Sequence, residues 1–444
     1  MTFFDIILVP LYLAIFYFIA RRTVNNNRHD PLYAVYYIKG LNYKFFGAFG
    51  FAAIYLFYYR GGDTIAYYED ASPLMKLLVI DPLWFFKFIL GFLHTYPEIL
   101  LADTRSTATY YLTKGSATLT TLRVAGVLNI LSCNSFLVLT FFFAFICYHF
   151  IWRAFKLMVS LYPVLHKQLA YAFLMIPSVI FWGSGVGKDT IMLGAIMLFF
   201  YTFYNVVIKR QFKVSNFILF FVAAYTTALI RGFILFTLIP CVMLMTTVYY
   251  QKQIRSSFLR FLIGPVLVVG GGGASYLFVK SLGDTVESYK IDQLAKKAEG
   301  FHSWHTHLGQ TEGGSSYSLG GEVAYTPAGI LKQAPMATLV SLFGPFPWQI
   351  RSPVMVLSGI ESMVFFYFVF KILINRKIYK LGGVLSGDPI LAFCIPFIFI
   401  LAIAIGMTSF NYGALVRYKI PILPFFATTI ILINYYFEKG TTEG

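Results

Sequence analysis

Long apolar runs recur along the whole chain and limit what it can fold into. A helix that crosses a bilayer needs about 20 mostly apolar residues, and shorter segments are used where neighbouring helices bury them. The pattern predicts an all-α integral membrane protein, with residues 1–444 forming a single polytopic domain. About eleven spans are expected, at 3–20, 45–59, 135–151, 169–182, 190–207, 214–230, 232–249, 258–279, 353–370, 389–407 and 421–436.

Composition agrees with this fold class. Hydrophobic residues make up 58% of the chain and charged residues only 12%, whereas a soluble domain carries roughly 25% charged residues. The net charge of +16 would suggest a nucleic-acid partner in a soluble protein, but in a membrane protein it is typical of basic cytoplasmic loops. We therefore expect membrane lipids as partners and no nucleic acid.

The distribution of charge predicts an orientation. The first apolar run is followed at once by Arg21 and Arg22, whereas a cleaved signal has its basic residues before the apolar stretch. The run therefore indicates a retained helix with the N-terminus outside and the C-terminus cytoplasmic. In that arrangement the inner segments contain few acids, namely Asp30, Asp388, Glu438 and Glu443.

Two predicted outer segments are too long to be simple turns. Residues 60–134 contain apolar pieces interrupted by charges, a mixture that suits helices lying in the membrane interface. Residues 280–351 are polar and rich in glycine and serine around Gly313. This second segment is expected to be a long flexible outer loop, and such loops are often functional.

The segment from Gly183 to Thr190 approaches a phosphate-binding loop without matching it. Asp189 follows Lys188 where serine or threonine should stand, and no soluble strand precedes the segment. Its backbone N–H groups and Lys188 can still meet an anion at a helix start. For Asp189, capping of the next helix and binding of a divalent metal or a sugar hydroxyl are compatible alternatives. No other cofactor is suggested, and the metal itself is not required.

A second cluster stands at the outer end of the 45–59 span. Asp63 follows two glycines there and precedes Tyr67 and Tyr68. A carboxylate at a membrane edge can act as a base on a substrate that arrives from the lipid, with the tyrosines lining a sugar site and Arg60 binding substrate. The alternative is a solvated loop in which Asp63 caps a short helix.

Isolated charges inside or beside apolar runs form the third group of candidates. Arg231 lies between two predicted spans, and Arg417 and Lys419 stand at the outer start of the last one. Such residues are costly unless paired, and guanidinium groups suit phosphate. The alternative is that the long side chains reach up to lipid headgroups. Glu361 is a single acid within a predicted span, expected to hydrogen-bond a neighbouring helix or, alternatively, to relay protons.

These features together resemble the C-type (GT-C) membrane glycosyltransferases. The likeness rests on an acid after an early span, interfacial helices, a second acid heading a later span and the terminal Arg417-Tyr418-x-x-Pro421 pattern. The segments 177–189, 229–231 and 342–348 are also similar to membrane proteins of the bacterial exopolysaccharide and O-antigen polymerase type. Members of the C-type family usually begin inside, so the first span here would be an additional one.

The resemblance implies an enzyme of the bacterial inner membrane that transfers or polymerises sugars carried on polyprenyl phosphate or pyrophosphate at the outer face. Asp63 would deprotonate the acceptor, and Asp189 would hold a metal or a sugar hydroxyl. Arg231, Arg417 and Lys188 would bind the departing phosphate. Two other classes remain open: a transporter or flippase of the same lipid-linked saccharides, and a non-catalytic envelope scaffold. A transporter would place ionisable groups near the midplane, on broken helices in paired repeats.

Overall fold

The computed structural model describes residues 4–92, 116–251, 315–320, 326–375 and 387–442, with a few single residues between 266 and 303. This part of the chain is helical and contains no β-strand, apart from one isolated bridge between Ser316 and Asn411. Short π-helical turns at Tyr33–Tyr37, Ile54–Tyr59, Tyr171–Met175 and Tyr204–Ile208 extend several helices. In chain order the helices are α1 (Asp5–Asn26), α2 (Ile38–Ala53), α3 (Asp63–Ala71), α4 (Leu74–Ile80), α5 (Pro82–Ile89), α6 (Ser116–Leu131), α7 (Phe136–Leu161), α8 (His166–Ala170), α9 (Pro177–Phe181), α10 (Lys188–Phe203), α11 (Val214–Gln251), α12 (Pro327–Phe343), α13 (Pro353–Asn375), α14 (Pro389–Ser409), α15 (Tyr412–Tyr418) and α16 (Leu423–Thr442).

Six of the described helices are long and apolar enough to cross a membrane. They lie at Asp5–Asn26, Phe136–Leu161, Lys188–Ile208, Val214–Gln251, Met355–Ile374 and Pro389–Ser409. A seventh is added if α15 and the following helix, which meet at 65°, form one bent span. These helices support an integral membrane protein of the all-α class, whereas the predicted number of eleven is not confirmed.

The difference between the predicted and the observed number of membrane spans has local causes. The predicted spans 214–230 and 232–249 are both helical and together make up α11, in which two helical segments meet at a kink where Arg231 has non-helical backbone angles. They therefore count as one of the six long helices. The predicted span 169–182 is divided among α8, a π-helical turn and α9, because Pro177 removes a backbone donor. The predicted span 258–279 falls, except for four single residues, outside the described residues.

The first long outer segment is helical where the structure describes it. Helices α3, α4 and α5 are short, and their position in the membrane interface stays a prediction. Helix α6 has a different environment, because Thr121, Leu122 and Asn129 are completely buried. It packs against α3, α5 and α7, so it is a core element as well as part of this segment.

The second long outer segment contains a helix that the sequence analysis did not predict. Helix α12 occupies 327–343, and the side chain of Thr326 accepts a hydrogen bond from the N–H of Gly329 at its start. The prediction of a long flexible outer loop over 280–351 is therefore wrong for residues 327–343. Threonine followed by Pro327 is a recognisable helix start, and it lies after the glycine-rich stretch around Gly313. Gly313 itself lies outside the described residues.

The chain forms two compact units. The first comprises 1–175, 179–202 and 217–231, and the second comprises 176–178, 203–216 and 232–444. In the first unit α2 packs along α7, with Phe45 and Phe141 in ring contact at 5.1 Å. In the second unit α14 packs against α12 and α16, and Gly406 approaches the backbone of Ala337 so closely that a Cβ would lie 2.4 Å from its carbonyl oxygen. The single polytopic domain expected from the sequence stays a prediction.

Contacts in the first unit join segments that were predicted to share one side of the membrane. Lys156 forms a salt bridge with Asp30 at 2.7 Å, and both belong to predicted inner segments. Asp189 and Arg231, from predicted outer segments, also pair with each other. The Lys44 carbonyl, from a predicted inner segment, also accepts from the hydroxyl of Ser184, from a predicted outer one, at 3.3 Å. The alternation of sides therefore stays a prediction.

Candidate functional site

A sharp break in the backbone leads into the helix that carries Asp63. The helical chain from α2 ends at Tyr59, and Arg60 adopts a left-handed conformation with φ of 52°. Gly62 follows with φ of 99°, which a side chain would disfavour. Asp63 is then the first residue of α3, where its carboxylate complements the positive end of the helix dipole. Gly62 rather than Asp63 occupies the cap position, and Asp63 is half-buried.

The glycine-rich turn before α10 is packed closely onto α2. A Cβ on Gly185 would lie 2.1 Å from the ring of Phe51, and one on Gly47 would lie 2.2 Å from the carbonyl oxygen of Ile180. The hydroxyl of Thr190 donates to the Gly185 carbonyl at 2.6 Å and closes the turn. A helix rather than a strand precedes it. The glycines thus serve close packing in addition to forming the turn, and the turn is not a phosphate-binding loop of the nucleotide-binding kind.

Asp189 and Arg231 form a salt bridge although they are 42 positions apart in sequence. Arg231 Nη2 donates to Asp189 Oδ1 at 2.5 Å. The two side chains are 7% and 12% exposed for Asp189 and Arg231 respectively. Arg231 has φ of −146° and ψ of 79°, so it stands at the point where α11 is interrupted. The structure therefore joins two residues that the sequence singled out for separate reasons.

Lys188 links this ion pair to α3 and α6. Its Nζ donates to Thr118 Oγ1 at 3.0 Å and lies 5.8 Å from the centre of the Tyr67 ring. Both Thr118 and Tyr67 are buried. We refer to Tyr67, Thr118, Lys188, Asp189 and Arg231 together as the charged site.

An apolar pocket begins beside the charged site. Thr190, the residue after Asp189, is one of its lining residues, and the pocket has a volume of about 200 Å³. Its other walls come from α6, α7, α10 and the first half of α11, and they include Leu128, Phe143 and Leu198. A ligand with a charged head and an apolar tail matches this pairing of a charged site with an apolar pocket.

The remaining candidates of the first unit have different surroundings. The hydroxyl of Tyr68 donates to the Asn134 carbonyl at 2.7 Å, and its ring contacts Phe136, so Tyr68 ties α3 to the start of α7. Arg60 is exposed. Of the two tyrosines expected to line a sugar site, only Tyr67 belongs to the charged site.

Arg417 and Lys419 belong to the second unit. Arg417 is half-buried in the last turn of α15. Lys419 is 1% exposed, and its Nζ donates to the Gly344 carbonyl at 2.7 Å and to Ser362 Oγ at 2.9 Å. These bonds tie the break before α16 to the end of α12 and to α13. The phosphate role of both residues stays a prediction.

Glu361 lies beside Lys419 in the second unit. Its carboxylate accepts a hydrogen bond at 2.7 Å from the backbone N–H of Ser178, at the start of α9. The charges of Glu361 and Lys419 also act on each other. The expectation that Glu361 hydrogen-bonds a neighbouring helix is confirmed.

Asp70 is a buried acid that sequence reasoning did not select. It lies on α3, two turns after Asp63, and is completely buried. Burial, together with the nearby charge of Glu69, raises the pKa of the Asp70 carboxyl to about 7. The sequence offers one signal for Asp70, because it lies seven positions after Asp63 and so on the same face of α3. The sequence alone does not distinguish a buried acid at this position from a solvated one.

The described residues contain no group of three or more His, Cys, Asp or Glu side chains that suits a metal ion. Asp189 has Arg231 as a partner instead. No family model, curated protein or solved structure matches the chain.

Proposed function

We propose that the protein is a membrane glycosyltransferase that takes a sugar from a polyprenyl-phosphate or polyprenyl-pyrophosphate carrier, and that the charged site binds the carrier phosphate. The observation that carries this proposal is the succession of Lys188, Asp189 and Thr190. The first two residues belong to the charged site and the third lines the apolar pocket. A polyprenyl phosphate has the same succession of an anionic head and an apolar chain.

The basic side chains would stabilise the leaving group. Arg231 and Lys188 both lie in a largely buried setting, where a fixed positive charge acts more strongly on a developing phosphate charge than it does in water. Asp189 would orient the guanidinium of Arg231, and the salt bridge supports this role over the metal-binding role expected from the sequence. A divalent metal is not needed in this scheme.

Asp63 would be the general base. It lies four residues before Tyr67 on α3, about 6 Å along the helix axis and on the same face. Its carboxylate would take the proton of an acceptor hydroxyl while that oxygen forms a bond to the anomeric carbon. The bond from this carbon to the phosphate oxygen breaks, and its electron pair leaves with the phosphate, which inverts the anomeric centre. Such base assistance is typically worth about 10² to 10⁴ in rate.

The test uses the purified full chain and a panel of synthetic polyprenyl-phosphate sugars carrying glucose, galactose or N-acetylglucosamine. Release of polyprenyl phosphate is measured for the natural chain, Asp63→Asn and Glu69→Gln. We expect release to fall by about 10² to 10⁴ in Asp63→Asn, since the proton acceptor is removed from a nearly isosteric side chain. The half-buried Glu69 is a better control than its neighbour Asp70, because Asp70 is completely buried and its replacement also affects folding.

Arg231→Lys tests the phosphate site in the same assay. The lysine keeps the positive charge opposite Asp189, but it loses the planar fork that binds phosphate with two hydrogen bonds. Release should therefore fall while the folded yield is retained. Full activity of Arg231→Lys together with full activity of Asp63→Asn would contradict the proposal, as would failure of the natural chain to use any member of the panel.

A second candidate function is favoured by the interruption of α11. A helix that is broken at a charged residue within an apolar segment is typical of transporters, and Arg231 stands at such a break. The corresponding activity would be movement of a lipid-linked saccharide across the bilayer. Proteoliposomes with a fluorescent polyprenyl-phosphate lipid separate the two functions, because a flippase makes the inner-leaflet label accessible to dithionite without releasing sugar.

A further inference from the structure

A short basic turn in the second unit connects two of the helices that are long and apolar enough to cross a membrane. It occupies residues 209–213, after the candidate span that ends at Ile208 and before the one that begins at Val214. The turn contains three basic residues and no acid, and all five of its side chains are exposed. A turn that joins two spans lies at the membrane surface, where lipid headgroups are its neighbours. We refer to residues 209–213 as the basic turn.

Hydrogen bonds to the flanking helices fix the backbone of the basic turn. The N–H of Gln211 donates to the Asn205 carbonyl at 2.8 Å, and the side-chain amide of Asn216 donates to the Gln211 carbonyl at 3.3 Å. The N–H of Lys213 donates to the same carbonyl at 2.8 Å. Arg210 has a left-handed conformation with φ of 52°. The basic side chains therefore start from defined positions on an ordered turn.

Arg210 is oriented by the last turn of α11. Its Nε donates to the Tyr250 hydroxyl at 3.3 Å, and its guanidinium carbon lies 5.3 Å from the centre of the Tyr250 ring. The Tyr250 hydroxyl donates in turn to the Val207 carbonyl at 2.8 Å. In the described part of the chain, the two terminal nitrogens of Arg210 make no further hydrogen bond. A guanidinium held in this way can bind an anion with two parallel hydrogen bonds.

Lys213 supplies a second positive charge three residues later. Among the residues that the structure describes, no acid forms a salt bridge with Arg210 or Lys213. Asp388 is an acid of this region, because its charge acts on Tyr204. Its carboxylate accepts hydrogen bonds from the first N–H groups of α14 and from the Tyr436 hydroxyl. The basic turn thus presents positive charge to an anionic partner.

Exposed apolar side chains lie between and beside these cations. Phe212 is 68% exposed and Val214 is 74% exposed. At a membrane surface such side chains match lipid acyl chains, whereas lysine and arginine match the phosphate above them. The combination of clustered cations with exposed apolar residues next to a membrane span is typical of segments that bind anionic lipids. A free phosphate ion would use only the cations.

From the oriented guanidinium, the second cation and the neighbouring apolar side chains, we propose that the basic turn binds the headgroup of an anionic phospholipid. Arg210 binds the phosphate through its two terminal nitrogens, Lys213 adds a second charge and Phe212 contacts the acyl chains. The reaction proposed above uses none of these residues, so this inference goes beyond that function and does not depend on it.

The test is native mass spectrometry of the purified full chain in a neutral detergent, with phosphatidylglycerol or phosphatidylcholine of the same acyl chains added in increasing amounts. The method resolves single bound lipids and gives the dissociation constant of the first one. A basic residue near an anionic lipid is worth about fivefold in affinity. With two such residues, the natural chain should bind phosphatidylglycerol about twentyfold more tightly than phosphatidylcholine.

Variants of the basic turn separate its contributions. Arg210→Gln and Lys213→Gln should each lower the affinity for phosphatidylglycerol by about fivefold, and the double variant should lose the preference over phosphatidylcholine. Arg210→Lys should have an intermediate affinity, because it keeps the charge but loses the planar fork. Lys167→Gln is the matched control, since Lys167 is exposed and also belongs to a predicted inner segment but lies in the first unit. It should bind as the natural chain does.

Three results would overturn the proposal. The first is equal affinity of the natural chain for the two lipids. The second is equal affinity of the double variant and Lys167→Gln for phosphatidylglycerol, which would assign the attraction to the overall positive charge of the protein. The third is complete displacement of phosphatidylglycerol by excess inorganic phosphate at constant ionic strength, which would make free phosphate the ligand. Sugar transfer does not enter this measurement, so failure of the proposed reaction and failure of the lipid site are distinguishable.

Discussion

Arg231 in the first unit and Lys419 in the second are both basic side chains among apolar residues, but their partners differ. Arg231 meets the carboxylate of Asp189 at an interruption of α11 and keeps 12% of its side chain exposed. Lys419 is 1% exposed and donates to a backbone carbonyl and a serine hydroxyl, with Glu361 nearby. One sequence pattern thus leads to a largely buried ion pair beside a pocket in the first unit and to a fully enclosed set of hydrogen bonds in the second.

This comparison teaches that an isolated basic residue in a membrane protein carries a functional signal only together with its partners. A buried lysine that donates to two protein groups and lies beside a carboxylate mainly stabilises the fold. An arginine with a planar fork and partial exposure retains capacity for an anionic ligand. The comparison therefore predicts that substitution of Lys419 lowers the stability of the fold and that substitution of Arg231 lowers the activity.

The largest expected effect is on stability, from Lys419→Met. The substitution removes the donors to Gly344 and Ser362 and leaves Glu361 without its cationic neighbour, so we expect a loss of about 3–5 kcal/mol in folding free energy. The measurement is the yield of monodisperse protein and its thermal unfolding midpoint in detergent. Lys371→Met on the exposed side of α13 is the matched control and should leave both unchanged. A stable but inactive Lys419→Met would assign a functional role to Lys419 and break the contrast with Arg231.

A smaller effect is expected for the coupling between Asp189 and Arg231. In a double-mutant cycle of Asp189→Asn and Arg231→Gln, the double variant should be more stable than the sum of the single losses predicts, by about 1–3 kcal/mol. The reason is that each single variant leaves one largely buried charge without its partner, whereas the double variant leaves none. Unfolding midpoints of the four proteins give the coupling. Additive losses would show that the salt bridge contributes no pairwise stability.

The double variant also tests whether Arg231 binds the phosphate or only pairs with Asp189. Its stability should be partly restored, but sugar release should not, since Arg231 is proposed to bind the phosphate itself. Recovery of release in the double variant would reduce Arg231 to a structural partner of Asp189, and the two basic residues would then be alike.

The smallest expected effect is the pH dependence contributed by Asp70. The pKa of the Asp70 carboxyl is about 7 in the folded chain, against an ordinary value of 3.8 for a solvated aspartate. Between these two pH values the carboxyl is protonated in the folded chain but ionised in the unfolded chain. The stabilisation is therefore complete below pH 3.8 and is lost as the pH rises through about 7. Between pH 6 and pH 8 the loss amounts to about 1 kcal/mol.

Thermal unfolding at a series of pH values tests this expectation. The decline between pH 6 and pH 8 should be reduced in Asp70→Asn and retained in Glu69→Gln. An equal decline in the natural chain and in Asp70→Asn would assign the pH dependence of unfolding to groups other than Asp70.

Part of the fold and of the site could be predicted from the sequence because the relevant signals are local. Hydropathy over about 20 residues identified the apolar helices, and the position of Asp189 after a glycine-rich turn identified the start of α10. Arg231 stood out because two apolar runs flank it. The same local view predicted two spans on either side of Arg231, but hydropathy does not show that the two helical segments meet directly at a kink at this residue.

The remaining features depend on contacts between distant residues. Lys419 meets Gly344 across 75 positions, and Thr118 meets Lys188 across 70. No periodicity relates these positions, so their pairing follows from the packing of helices alone. The pairing of the 315–318 segment with the backbone at Phe410 and Tyr412 was missed for the same reason, because its hydrogen bonds join residues more than 90 positions apart in sequence.

The hydrogen bond from buried Lys44 to the Val179 carbonyl, at 3.1 Å, has a consequence for how this protein enters its membrane. Helix α9 is only five residues long, so most of its terminal carbonyls have no helical donor, and a carbonyl without a donor is expensive in lipid. Lys44 of α2 supplies one donor, and Ser184 supplies another to the Ile180 carbonyl at 2.5 Å. The segment around α9 is therefore poorly suited to independent partition into the bilayer during synthesis. We therefore expect its stable insertion to depend on α2, which precedes it in the chain and supplies the Lys44 donor.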